Sequence, residues 1–213
     1  YDISACLVGS EMCIRDSQYP ENRIFVNPYG VDLSMFKPLP NIPKKYDVIM
    51  VGGWGYEKGC DLIVEAIRKT NYSFIHVGSI KDVDFPQEKN FTHIDPVDQS
   101  KLIEYYNQAK VFILPSRQDG FGMVLSQALA CNLPIIGSNN CGAPDLKKMV
   151  ELPEYITIIK DYTADAIVTA IHTAIKNYEQ LGERIYAGNA IENLTWEAYG
   201  KRYANFLHKI IKQ

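Results

Sequence analysis

The stretch from Phe112 to Leu146 constrains the fold of this chain more than any other. Val111 to Leu114 is a short apolar run stopped by Pro115, the pattern of a strand buried on both faces of a parallel sheet. Ser116-Arg117-Gln118-Asp119-Gly120-Phe121-Gly122 is a polar, glycine-bearing loop. Met123 to Ala130 has the residue types of a short buried helix ending near Asn132, and Leu133 to Gly137 is a second buried strand. The unit gathers its polar residues where strand gives way to helix, and in open α/β sheets ligands sit at that edge.

The chemistry available there is narrow. A helix opening at Gly120-Phe121-Gly122 presents unpaired N–H groups and the positive end of its dipole, which suits a phosphate. Asp119 accepts hydrogen bonds and Gln127 both accepts and donates, so the pair suits sugar hydroxyls. Asp119 reads equally as a helix cap and Gln127 as a solvated helix residue. Spacing leaves both readings open.

The flanking segments repeat the same alternation. Tyr46–Val51, Phe74–Val77, Phe91–Ile94 and Tyr155–Ile159 read as strands, and Ile24-Phe25-Val26 as a shorter one. Asp61–Lys69 reads as a helix burying Leu62, Ile63, Ala66 and Ile67. Asp98–Ala109 follows with Asp98 as its cap, and then a long helix capped by Thr163 that runs through Tyr178. Asn193 to Ile211 reads as one amphipathic helix with Thr195 as cap. Strands alternating with helices predict an α/β domain built on a doubly wound parallel sheet, Rossmann-like in kind.

Composition narrows the function classes. The 213 residues are 46% hydrophobic and 22% charged, enough to bury a core, with a net charge of −3 that offers no basic field to nucleic acid. No apolar run reaches membrane-spanning length. Five scattered cysteines without a paired spacing fit reduced cytosolic thiols better than a disulfide or zinc framework. A glycine-rich turn, Gly52 to Gly59, invites a dinucleotide reading, but glycines at 53, 55 and 59 are one residue too long for G-x-G-x-x-G, and no acid ends the second strand. Asp82-Val83-Asp84 is a coincidental D-x-D in a surface loop, while His76 and His93 lack a partner at ligand spacing and read as packing residues. Cys141, beside Gly142, is open to exposure but has no helper histidine to make it a nucleophile.

The central stretch resembles the nucleotide-sugar signature of family 4 retaining glycosyltransferases of the GT-B fold, the glycosyl transferases group 1. Pro115, Ser116, Gly120, Phe121, Gly122, Ala128, Ala130, Pro134, Ile136 and Gly142 match its pattern. Asp119 and Gln127 stand where the pattern has two glutamates, and Asp145 stands near a third acid. Val51-Gly52-Gly53 through Lys58-Gly59 resembles the family's V-G-R-x-x-x-x-K-G, with Gly53 in place of the arginine. The run from Arg23 to Pro38 resembles its interdomain segment, in which the Gly30 backbone would lie near the cleft; a plain loop anchored by Phe36 is the alternative.

The resemblance implies the C-terminal half of a GT-B fold that binds a nucleotide diphosphate sugar as substrate, with no cofactor and no metal. It assigns catalysis to Lys58, which stabilises the leaving diphosphate, and to Asp119, which orients the sugar. It assigns substrate contacts to Gly30, Gly52, Gly53, Ser116, Gly120, Phe121, Gly122, Met123, Val124 and Gln127, the last toward the ribose. A carbohydrate or lipid-linked acceptor would be held by an N-terminal half outside this chain, in the cytoplasm or at the inner face of a membrane.

Four segments are expected. Residues 1–17 resemble translated sequencing adaptor, with a short signal peptide as the competing reading; removing them takes away Asp2, Glu11 and Asp16 against Arg15 and leaves a net charge of about −1. Residues 18–45 lead into the domain, 46–192 form it, and 193–213 would pack on the other half through Tyr199, Tyr203, Phe206, Ile210 and Ile211. A nucleotide-binding module without catalysis, signalled by Gly53 and Gln127, and a sugar-nucleotide epimerase are the alternative functions.

Overall fold

The computed structural model describes residues 25–149, 153–181 and 189–211. The readings for residues 1–17, and for Ile24 as part of a strand, lie outside the described residues.

Six short strands form one sheet: β1 (Tyr46–Val51), β2 (Phe74–Val77), β3 (Phe91–Ile94), β4 (Ala109–Leu114), β5 (Ile135–Ser138) and β6 (Ile156–Ile159). Every pairing is parallel and the spatial order is β3-β2-β1-β4-β5-β6. Ile49 of β1 pairs with Ile75 on one side and Phe112 on the other, so the apolar runs of β1, β2 and β4 stack side by side in the core. A parallel sheet needs a crossover between consecutive strands. α1 (Cys60–Lys69), α2 (Gln99–Gln108), α3 (Met123–Ala130) and α4 (Ala143–Met149) supply four of these; α5 (Ala164–Leu181), α6 (Asn189–Glu192) and α7 (Trp196–Ile211) follow β6.

The helices form where apolar residues recur at helical spacing. In α1, Leu62, Ile63, Ala66 and Ile67 are buried as the periodicity predicts, each larger aliphatic chain contributing about 1.5–3 kcal/mol. α5 buries Ala164, Ile167, Ala170, Ile171, Ala174 and Ile175, and packs against α1 as well as β4, β5 and β6. Thr163 and Thr195 cap α5 and α7 as expected, their hydroxyls accepting the Ala166 and Ala198 N–H groups at 3.2 and 3.1 Å.

Several expectations are corrected. Phe25-Val26 is not a strand; Phe25 instead stacks on Phe206 of α7 with ring centroids 4.2 Å apart. Asp98 makes no side-chain cap, and Ala109 opens β4 rather than closing α2. β6 begins at Ile156, because Pro153–Tyr155 is a single 3-10 turn. α7 buries none of its residues fully and is tied to residues 25–30 by Arg202, which donates to Asn27 Oδ1 at 2.7 Å and to the Pro28 carbonyl at 2.9 Å.

The sheet winds outward from β1 to β3, then returns through α2 to β4 on the other side of β1. The loops after β1 and β4 therefore leave adjacent strands in opposite directions. The crevice between them is the switch point of the fold.

Candidate functional site

Three loops meet at this crevice. The loop after β1 makes a 3-10 turn, Tyr56–Lys58, and closes on Gly59 in the left-handed conformation, φ 73°. A Cβ there would strike the Pro115 carbonyl, so the loops after β1 and β4 touch backbone to backbone. The Glu57 carbonyl accepts the Arg117 N–H at 2.8 Å, locking the contact. The loop after β5 joins from the other side: Asn140 O accepts the Asp119 N–H at 2.9 Å, and Asn140 Nδ2 donates to the Arg117 carbonyl at 2.9 Å.

This scaffold brings Lys58 and Asp119 together. Lys58 Nζ donates to Asp119 Oδ2 at 2.8 Å, with Glu57 Oε1 at 3.6 Å on the outer side. Both partners of the short pair are largely sheltered, 19% and 14% exposed. Asp119 is not a helix cap: α3 is preceded by Gly122 at φ 71°, and no side chain caps it. The Asp119 carboxylate instead lies beside Gly122, 3.5 Å from where a Cβ would stand. The Met123 and Val124 N–H groups in the first turn have no carbonyl four residues back within the helix and face the same mouth with the dipole's positive end. A cation, a carboxylate and an open helix terminus thus converge at one point.

The other expected contacts divide. Gly52, Gly53, Gly120 and Met123 stand at the accessible rim. Ser116 is fully buried, its carbonyl accepting from Ser138 Oγ and Tyr162 Oη, and serves here as a loop anchor. Phe121 is buried against Tyr29 and Gly142. Gly30 lies beneath the Thr195 and Trp196 backbone, so the crossing of α7 explains its lack of a side chain. Gln127 is not solvated: its Oε1 accepts from the wholly buried Tyr106 hydroxyl at 3.0 Å, leaving the amide nitrogen as the group able to reach outward.

Sequence reasoning passed over Arg117, Tyr106 and the contact between the two histidines. Arg117 forks onto Asp61 at 2.6 and 2.7 Å and lies over the Tyr56 ring at 3.7 Å, and Asp61 holds its pKa above the ordinary value. An arginine inside the signature loop was the available signal. His76 and His93, read from sequence as packing residues, are register partners on β2 and β3 that pack on each other with Nδ1 atoms 3.0 Å apart. His76 Nε2 reaches the Gly52 carbonyl at 2.8 Å, so the pair supports the floor of the site.

Cys141 is buried, contrary to the expected exposure, and burial pushes its thiol pKa up; Cys60 and Cys131 are pushed up to about 12 by the same cause. None is poised as a nucleophile. Asp82 of the D-x-D spends Oδ1 on the Tyr56 N–H at 2.8 Å. Among the described residues no three His, Cys, Asp or Glu side chains gather as a metal site would, and no helix is long and apolar enough to cross a membrane.

Sheet order and switch-point crevice define a Rossmann-like α/β domain. The family model described as glycosyl transferases group 1 matches residues 33–190, and the chain belongs to that family. A probable sucrose-phosphate synthase of Thermosipho melanesiensis is 25% identical over 90% of this chain and 49% of its own length. The chain spans about half the length of that relative. A sucrose-phosphate synthase of Thermosynechococcus elongatus superposes over 96% of this chain and 57% of its own, with TM-score 0.70 and 21% identity. The C-terminal domain of a glycosyl transferase group 1 protein of Francisella tularensis covers 76% of this chain and is itself covered over 95%, with TM-score 0.62 and 20% identity. HepE of Anabaena, solved with UDP and glucose, gives TM-score 0.72 at 14% identity over 94% of this chain and 61% of its own. The fold is the C-terminal half of a GT-B architecture.

Proposed function

We propose that this chain is the donor-binding half of a retaining glycosyltransferase that moves a sugar from a nucleotide diphosphate sugar to a hydroxyl acceptor. The observation that carries this reading is the Lys58–Asp119 pair at the open terminus of α3. Negative charge develops on the leaving diphosphate as the glycosidic bond breaks, and preorganised donors aimed at that charge lower the barrier. Lys58 supplies a full charge; the Met123 and Val124 N–H groups supply oriented dipoles. Asp119 accepts hydrogen bonds from donor-sugar hydroxyls, and the Gln127 amide donates to the ribose. A carbohydrate or lipid-linked acceptor enters from a second half that closes the cleft.

The test is a thermal-shift panel with UDP, GDP, ADP and NAD on the 213-residue chain. One nucleoside diphosphate at 100 times its Kd adds about 2.7 kcal/mol of stability, and NAD adds nothing. Adding the corresponding sugar nucleotide and simple acceptors to the isolated chain produces binding with little or no transfer. Stabilisation by NAD alone overturns the reading, as does donor epimerisation without an acceptor.

A further inference from the structure

Electrostatic balance at the crevice leaves a deficit. The loops that follow β1, β2 and β4, with the first turn of α1, carry Glu57, Asp61, Asp82 and Asp119 around the site. Against these four carboxylates stand Lys58, bonded to Asp119 at 2.8 Å, and Arg117, forked onto Asp61. Both of these cations are already paired. A diphosphate brings further negative charge into a cluster that is net acidic without it, and like charges at this range oppose binding.

Lys81 is the third cation at this edge. The chain after β2 runs on beside the chain after β1: Trp54 bridges to Ile80, and the Trp54 carbonyl accepts the Lys81 N–H at 2.9 Å. From that anchored backbone the Lys81 side chain lies across Gly53. Its Cε stands 2.5 Å, its Cδ 3.1 Å and its Nζ 3.4 Å from where a Cβ on Gly53 would be. The lysine stem fills the volume that a side chain on residue 53 would occupy. Among the described residues no carboxylate pairs with Lys81, and the residue is exposed, its stem over Gly53 of the loop after β1.

We infer that Lys81 is the second diphosphate-binding cation of this site, delivered across Gly53 from the neighbouring strand's loop; the inference rests on the nucleotide-sugar reading above. Gly53 is then a consequence of the arrangement, since a long side chain there and the Lys81 stem exclude each other. Anchoring through a backbone N–H fixes where the stem starts, and the flexible end lets the ammonium follow a phosphate as a point charge. Lys58 holds the phosphate at the helix mouth while Lys81 takes the opposite oxygen face.

The experiment is isothermal titration of the full chain with UDP, GDP, ADP, the corresponding monophosphates and inorganic pyrophosphate, for the wild type, Lys81→Ala, and Lys81→Ala combined with Gly53→Arg. Lys81→Ala weakens the bound nucleoside diphosphate and pyrophosphate about tenfold or more, changes the monophosphate less, and flattens the salt dependence of binding. Gly53 lies outside the left-handed region, and its Cβ would meet only the lysine's far end, so an arginine enters once Lys81 is shortened. The double variant recovers most of the lost affinity. If the wild type binds a nucleoside diphosphate and Lys81→Ala binds it equally well, the Lys81 assignment falls and the donor-site reading stands. If the wild type binds neither nucleoside diphosphate nor pyrophosphate, both fall. A double variant no tighter than Lys81→Ala overturns the claim that the stem stands in for a residue-53 side chain.

Discussion

Lys58 Nζ and Asp119 Oδ2 are 2.8 Å apart, joining the loops after β1 and β4 across the switch point. The pair competes with any ligand for the Lys58 ammonium. Replacing Lys58 by Ala therefore weakens nucleoside diphosphate binding about tenfold or more, since one charge-assisted hydrogen bond contributes about 1.5–3 kcal/mol. Asp119→Asn acts in the opposite direction on the diphosphate. It releases the ammonium and removes a repelling carboxylate, so the bare nucleoside diphosphate binds as tightly or up to about tenfold tighter, a gain of about 1.4 kcal/mol. The preference for a sugar nucleotide over that diphosphate falls. Calorimetric titration of both variants checks the opposed signs, and equal losses in both would defeat the assignment.

Gly59 carries a different kind of constraint. Its φ of 73° is strained for any side chain, and a Cβ would collide with the Pro115 carbonyl. Gly59→Ala combines the two penalties and destabilises by about 2 kcal/mol or more. For a domain of this size that lowers Tm by about 4 °C or more. Because the displaced loop carries Lys58, nucleotide binding weakens with it. A thermal melt alongside titration reads both. An unchanged Tm would mean the two loops are not in backbone contact.

Much of this was legible in residue patterns. β1, β2, β3 and α3 fall at the predicted bounds, because β-branched and aromatic runs set between turn residues mark the strands even where Asp47, His76, Thr92 and His93 interrupt them. Lys58 and Asp119 were legible as well, since loop residues at strand ends meet wherever the sheet order brings the strands together. Lys81, Arg117 and the His76–His93 pair were not. Each acts on a residue distant in the chain, through a register or side-chain reach that no local pattern encodes. The bond from Tyr106 to Gln127, twenty-one residues later, was hidden for the same reason.

Stability below neutral pH is set partly by His76. Its ring is inaccessible, and burial lowers its pKa from 6.5 to about 4. Nε2 faces a carbonyl and must carry the proton, so Nδ1 is the acceptor and His93 donates to it from its own Nδ1. Between these values the unfolded chain binds the proton and the folded chain does not. Stability is therefore full above pH 6.5 and declines as pH falls toward 4, by up to about 3 kcal/mol. His76→Gln removes the titration and flattens this decline. Urea midpoints of both proteins from pH 7.5 to 4.5 test it, and parallel curves would sink the role given to His76.

Tyr106 and Gln127 test whether the second position of the signature is held by the core. The Tyr106 hydroxyl is completely buried, its pKa raised well above the ordinary value by burial, and it donates to Gln127 Oε1 at 3.0 Å. Removing the donor alone leaves a buried acceptor unsatisfied, at a cost of about 1–3 kcal/mol, whereas replacing both partners by apolar groups is nearly neutral. Tyr106→Phe is thus destabilised, while Tyr106→Phe with Gln127→Leu recovers most of that loss; denaturant melts of the two single variants and the double variant measure the coupling. Nucleotide affinity separates the structural role from the ligand role. Tyr106→Phe loosens the amide and weakens the nucleotide only a few-fold, but Gln127→Leu deletes the ribose donor and weakens it further. If the two single variants lose stability and the nucleotide binds both as it binds the wild type, Gln127 is a core residue and the ribose is held elsewhere.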